Sequence, residues 1–194
     1  MDRSFITRCK LSSKISDKIE EQSYKVPWFF FHDCALDEKT IKKEGLEKNP
    51  YFSHALSHES GKWKSDHYFL FPMDFISQFS HMHDRTMIRS HITFHYPNEN
   101  KFGKYHNLHI DNEKPHDVVL YYINDADGDT FFFDNDRKII HRETPEKGKL
   151  IIFDGSIFHS SSSPSKNIRM TMNINYSKSN RPLIKVTQKT HCKI

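Results

Sequence analysis

The chain has 194 residues, 36% hydrophobic, 13% aromatic and 28% charged, which is enough apolar surface for one buried core and too much for a chain that stays disordered. Six glycines and eight prolines exclude a collagen-like or low-complexity chain. Twenty-nine Lys and Arg against 25 Asp and Glu leave a net charge of +4 with the signs interspersed, which is no nucleic-acid-binding stripe.

A single domain over 1–194 is expected. Residues 1–25 are polar, open on Met1-Asp2-Arg3-Ser4 with no apolar leader, and carry only the weak helical pair Ile15 and Ile19, so they read as a loose N-terminal arm or a peripheral helix. Val26 to Phe31 reads as a strand. Leu36 to Gly45 has a helix signature, with Asp37 and Glu38 early, Lys42 and Lys43 late and Gly45 as the stop. Pro72 to Ser80 reads as a second short helix with Met73, Ile76 and Phe79 on one face. From Met87 the texture becomes strand-like in short runs: Met87–Tyr96, Asp117–Ile123, Thr130–Asp134, Lys138–His141, Lys149–Phe153 and Ile168–Tyr176. Asp127-Gly128-Asp129 and Asp154-Gly155-Ser156 are tight turns between them. Many short strands at near-regular spacing predict a mainly β sandwich or barrel. The tail 178–194 carries Lys178, Arg181, Lys185, Lys189 and Lys193 without interleaved aromatics and reads as solvated rather than as a nucleic-acid contact.

Three cysteines, Cys9, Cys34 and Cys192, are an odd number at no metal-ligand spacing, so a reduced, intracellular (cytoplasmic) protein is expected. The longest apolar runs, Trp28 to Phe31 and Leu150 to Phe153, are far too short to span a bilayer, and no membrane partner is expected.

Three features of the β-rich half point to chemistry: His109-Ile110-Asp111, then His159, then Arg169 ten residues on. On a strand, positions i and i+2 share a face, so His109 and Asp111 can grip one ion from one side. His159 follows the apolar strand and the Asp154-Gly155 turn, which returns it toward a barrel mouth. Two imidazoles and one carboxylate leave three octahedral positions open, the arrangement suited to non-haem Fe(II) that must take a co-substrate and O2 together. In the strand Ile168 to Tyr176 the even positions are apolar or aromatic and the odd ones polar. Arg169 therefore faces a polar interior with Thr171 and Asn173, and a guanidinium held there wants a carboxylate such as the distal one of 2-oxoglutarate. The alternative, a degenerate cupin-like barrel in which His159 and Asp111 only satisfy hydrogen bonds, stays open.

The segment His91 to Tyr176 resembles the core of the Fe(II)/2-oxoglutarate-dependent oxygenases, and within them the prolyl 4-hydroxylase-like group, including short stand-alone members from phages and other viruses. The likeness is carried, in order, by Phe94-His95-Tyr96-Pro97, Phe102-Gly103-Lys104-Tyr105, His109-Ile110-Asp111, Val118 to Asn124, Asp127 to Phe133, Pro145 to Leu150 and His159 to Arg169. It implies a double-stranded β-helix (jelly roll) as catalytic core over 87–177 with N-terminal supporting helices. It implies His109, Asp111 and His159 as iron ligands, Arg169 as the residue binding the distal carboxylate, Tyr122 as its hydrogen-bonding neighbour and Tyr96 as a pocket-lining tyrosine; both tyrosines have a plain alternative as core residues. Thr171 and Asn173 would line the co-substrate pocket. The cofactors implied are Fe(II), 2-oxoglutarate and O2, with ascorbate as an optional accessory. The substrate class implied first is a prolyl or peptidyl residue of a peptide or protein; a free amino acid or other small molecule is the alternative. Nucleic-acid demethylation is disfavoured, because that group usually carries a second Arg six residues after the first and Asn175 stands there. A non-catalytic binding barrel is the rival from another class. Where the family usually has a glycine pair, this chain reads Gly128-Asp129. His95, His106 and His116 are expected to stand behind the ligands or at the surface, and Ser160 to Ser163 to let the chain turn beside the metal.

Overall fold

The computed structural model describes residues 5–33 and 37–178. Its strands are β1 (Thr7–Lys10), β2 (Phe29–Phe31), β3 (Tyr51–His58), β4 (Trp63–Lys64), β5 (Met87–His95), β6 (His116–Tyr122), β7 (Thr130–Phe133), β8 (Ile139–Glu143), β9 (Lys149–Asp154), β10 (His159–Ser161) and β11 (Arg169–Ser177); its α-helices are α1 (Ser13–Ser23), α2 (Glu38–Glu44) and α3 (Met73–Phe79). Every strand pairing is antiparallel. One sheet of eight strands runs β1-β9-β6-β11-β5-β3-β2 with β4 beside β3, and a smaller sheet runs β10-β7-β8. This large-over-small pair is a double-stranded β-helix, the mainly β architecture expected. Among the described residues no helix is long and apolar enough to cross a membrane.

The period-2 alternation of strands sorts the core into two layers. On β6, Val119 and Tyr121 join the cluster beneath the helices, with Ile19, Ile76, Met172 and Ile174, whereas Val118, Leu120 and Tyr122 join Phe132, Ile151 and Phe153 between the sheets. β6 is buried at all seven positions, as a central strand covered on both faces must be. On β11, Met170, Met172, Ile174 and Tyr176 face the helix layer. Arg169, Thr171 and Asn173 face the cavity between the sheets.

Helix α2 begins where Asp37 accepts from the backbone N–H of Lys39 and Thr40 at 2.9 Å each, and ends at Gly45 in the left-handed region with φ 63°. These are the N-cap and C-terminal glycine that the sequence signals. Of the two readings of the N-terminal segment, the helix is realised as α1, and among the described residues from 5 on no loose arm is present. Thr7–Lys10 extends the large sheet on β9, and Ile19 of α1 is fully buried in the main core. The strand expected over Val26–Phe31 is confined to Phe29–Phe31, because Val26 turns inward to the core ahead of it. Tyr51–His58, in which Ser53, His54, Leu56 and Ser57 are buried on both faces, is a full strand between β5 and β2. Of the basic tail only Lys178 lies within the described residues; Arg181, Lys185, Lys189 and Lys193, like Cys34 and Cys192, lie outside them.

Candidate metal centre

His109 and Asp111 sit on an extended segment rather than in a regular strand. His109 forms a single bridge with His159, and Asp111 follows at a bend. The i, i+2 relation survives: His109 and Asp111 both line the cavity, with the partly exposed Ile110 at its rim between them. Across this bridge the ligand-type atoms of His109, Asp111 and His159 lie within 4.8 Å of one another. Each Nε2 stands 3.8 Å from Asp111, His109 from Oδ1 and His159 from Oδ2.

The imidazoles are oriented from behind. His109 Nδ1 lies 3.2 Å from the Asn107 carbonyl and His159 Nδ1 lies 3.0 Å from that of Ile157. A carbonyl only accepts, so both Nδ1 atoms carry the proton and both Nε2 lone pairs face the cavity. Burial, then the neighbouring His109, lower the His159 pKa to about 4, so that ring is neutral at physiological pH.

The Asp111 side chain is shielded from solvent and held by three donors. Arg89 Nη2 donates to Oδ1 at 3.0 Å, and the side-chain amides of Asn173 and Asn175 donate to Oδ2 at 2.9 and 3.0 Å. Arg89 is itself aimed by Nε, which donates to Asn175 Oδ1 at 2.6 Å. Burial alone would raise the carboxyl pKa; His159, Arg89, His109 and the Asn173 bond outweigh it and hold the group well below the usual carboxylate range. The two amides occupy the lone-pair directions of Oδ2, so the lone pair left open toward a cation is on Oδ1. Asn175 and Arg89 as partners of Asp111 carry no sequence signal: neither belongs to a motif, and only the strand register of β5 and β11 brings them together, with Asn175 opposite Arg89.

Arg169 is 2% exposed and lines the same cavity. Its Nε donates to the Gly128 carbonyl and its Nη2 to Thr130 Oγ1, each at 2.8 Å. Tyr122 stands behind the cavity wall, donates its hydroxyl to Thr130 Oγ1 at 2.8 Å, and places its ring 5.8 Å from the Arg169 guanidinium carbon. Thr130 thus links the two. Thr171 and Asn173 line the cavity, and Thr171 shares a hydroxyl contact of 2.9 Å with Thr93. Tyr96 does not reach the cavity: it lies outside, 39% exposed and edge-on to Phe52. His95 lines the cavity, His106 is buried beside it with ring centroids 5.0 Å apart, and His116, which does not line the cavity, donates to the Lys114 carbonyl. The cavity measures about 180 Å³. Leu120 and Phe153 form the apolar part of a wall that is otherwise largely polar.

No protein-family model and no curated protein matches the sequence. Solved structures do match the fold. An oxidoreductase of the 2OG-Fe(II) oxygenase family from Burkholderia pseudomallei superposes with a TM-score of 0.69 at 12% identity, over 94% of this chain and 90% of that one. A prolyl hydroxylase from Trichoplax adhaerens, solved with a peptide fragment of the hypoxia inducible factor oxygen degradation domain, gives 0.59 at 14% identity over 90% and 84%. The viral collagen prolyl hydroxylase of Paramecium bursaria Chlorella virus-1, in its 2OG complex, gives 0.51 at 13% identity over 92% and 98%. The fold is therefore that of the 2OG-Fe(II) oxygenases.

Proposed function

We propose that the protein is an Fe(II)- and 2-oxoglutarate-dependent oxygenase that hydroxylates an unactivated C–H bond, with a prolyl or other peptidyl residue as its target. The observation that carries this reading is the convergence of two imidazole nitrogens and one carboxylate in a cavity whose wall also holds a buried guanidinium. The donor set fits the metal: two imidazole nitrogens and one carboxylate oxygen suit Fe(II), and among the described residues no further His, Cys, Asp or Glu joins the three.

His109, Asp111 and His159 would hold the iron. When bound, iron and 2-oxoglutarate together supply the oxidising chemistry, in which O2 is consumed and 2-oxoglutarate loses CO2 to become succinate. The protein's own part is positioning. Arg169 receives the distal carboxylate of 2-oxoglutarate as a charge-assisted pair. Thr130 and Tyr122 fix the guanidinium from behind, and Gly128 fixes its Nε. Leu120 and Phe153 supply an apolar patch of the wall that this anchor and the metal ligands share. A peptide target is supported by the peptide-bound Trichoplax prolyl hydroxylase among the structures that share the fold.

The test is anaerobic addition of Fe(II) and 2-oxoglutarate to the purified protein, followed by the visible charge-transfer absorption of the chelate. A band that His159→Ala abolishes and Arg169→Ala weakens at limiting 2-oxoglutarate is the expected result. A well-folded protein that gives no band overturns the assignment and leaves a binding barrel.

A further inference from the structure

We infer that a groove adjoining the metal cavity, along the outermost strand of the large sheet, is where an extended apolar peptide substrate lies. The inference rests on the proposed oxygenase function and adds the location and backbone form of its substrate. The groove measures about 640 Å³ and shares Tyr51, Arg89 and His91 with the metal cavity as common wall. The cavity itself, at about 180 Å³, takes a small dicarboxylate and leaves the bulk of any larger substrate outside. The groove is the adjoining space.

Its lining indicates what would lie there. Strand β2 ends the sheet: it pairs with β3 through Phe29 to Ser53 and Phe31 to Tyr51, and among the described residues no strand pairs with its other side. All three of its phenylalanines are exposed, Phe29 by 57%, Phe30 by 50% and Phe31 by 45%. By strand alternation Phe29 and Phe31 face the groove with Pro27 and Trp63, while Phe30 turns away against Phe52 at 5.5 Å between ring centroids. An exposed aromatic edge strand is a hazard that proteins otherwise blunt with charge, proline or a covering element. Here the aromatic face leads directly to the metal cavity. The main-chain N–H and C=O groups along such an edge are met by another extended main chain, and flat aromatic rings favour proline rings and apolar side chains over charged ones. A free amino acid would use neither feature.

The test measures anisotropy of a fluorescein-labelled alternating proline–alanine peptide on the full chain with Fe(II) and 2-oxoglutarate under nitrogen, with unlabelled free proline as competitor. The expected result is saturable binding that free proline does not displace. Phe31→Asp should weaken it at least ten-fold and Phe30→Asp less than two-fold, with the chelate absorption band unchanged in both variants. Equal binding by Phe31→Asp, or no binding by a wild-type protein that forms the band, overturns the inference. So does a sedimenting dimer that Phe31→Asp dissociates, since the edge would then be covered by a second copy of the chain. Absence of the band from wild type strikes the oxygenase reading instead, and the peptide titration is scored independently of it.

Discussion

The backbone N–H of His109 donates to the carbonyl of His159 at 3.1 Å, and the N–H of His159 returns the bond to His109 at 3.1 Å. Two candidate ligands distant in the chain are thereby fixed to each other by main chain alone, so removing one imidazole leaves the bridge in place. The metal-free fold of His109→Ala should persist, because that side chain is partly exposed and its backbone bonds do not depend on it. Wild type should gain about 2.7 kcal/mol of stability at a metal concentration one-hundred-fold above Kd. His109→Ala should gain none, as read by denaturant unfolding with and without Fe(II) or Co(II).

Asp111 offers a finer test, because three donors fix which of its oxygens can face a cation. Arg89→Leu removes the guanidinium from Oδ1 and takes away the N–H that Asn175 Oδ1 accepts. Loss of such an outer partner costs about 10- to 100-fold in metal affinity. Arg89→Lys restores charge without the two-pronged geometry and should recover only part of it. Co(II) titration monitored by visible absorption measures both, and wild-type affinity in Arg89→Leu would remove Arg89 from the site.

Much of this site was legible in the sequence because it depends on parity. Arg169, Thr171 and Asn173 alternate with Met170, Met172 and Ile174, and alternation alone assigns them to opposite faces of β11. The strand Tyr51–His58 was not legible, since its buried positions include Ser53, His54 and Ser57, whose polar groups are satisfied by hydrogen bonds that only the folded sheet supplies. Thr7–Lys10 was hidden for a related reason: a half-exposed edge strand with Arg8 and Lys10 outward has no apolar run to betray it. The extended backbone at His109 comes from its bridge to His159, a pairing across distant segments that local propensity does not encode.

The shielding of His91, His95 and His106 should make the fold acid-labile. Burial, reinforced by nearby Arg89 for His91 and by Arg169 for His106, lowers both pKa values to about 3, and burial followed by His106 and Arg169 takes His95 well below its usual value. The unfolded chain binds protons on these rings near pH 6.5, whereas the folded chain refuses them until far lower pH. Stability therefore falls as pH drops from about 6.5 toward 3. The depressed carboxyl of Asp111 acts in the same sense, because its stabilisation is lost as acid protonates it. Urea midpoints measured from pH 7 to pH 4 should decline steadily, and His106→Gln, which keeps hydrogen-bonding atoms toward Ser161 and Ser163, should flatten the slope. A flat profile would contradict the burial of these rings.

Gly128 couples the turn before β7 to both ends of the candidate site. Its carbonyl accepts from Arg169 Nε at 2.8 Å. A Cβ at this position would stand 2.6 Å from the Ser162 carbonyl oxygen and 2.9 Å from the Pro164 nitrogen, both main-chain atoms of the segment that continues from His159. Neither can swing aside as a side chain does. That segment is stapled to the turn, since the Ser162 N–H donates to the Asp129 carbonyl at 2.9 Å and the Ser165 N–H to Asp127 at 2.8 Å. Gly128→Ala must therefore displace the carbonyl that aims Arg169 or the chain leading from His159, and overpacking of this kind costs about 1–3 kcal/mol. Gly155→Ala is the matched comparison: its Cβ would meet the His116 ring at 2.1 Å, also a serious clash, but His116 does not line the cavity. Both variants should lose stability in urea. Only Gly128→Ala should also raise the 2-oxoglutarate concentration needed for half-saturation of the chelate band, and an equal rise in Gly155→Ala would mean that general destabilisation, not the Gly128 to Arg169 bond, sets co-substrate affinity.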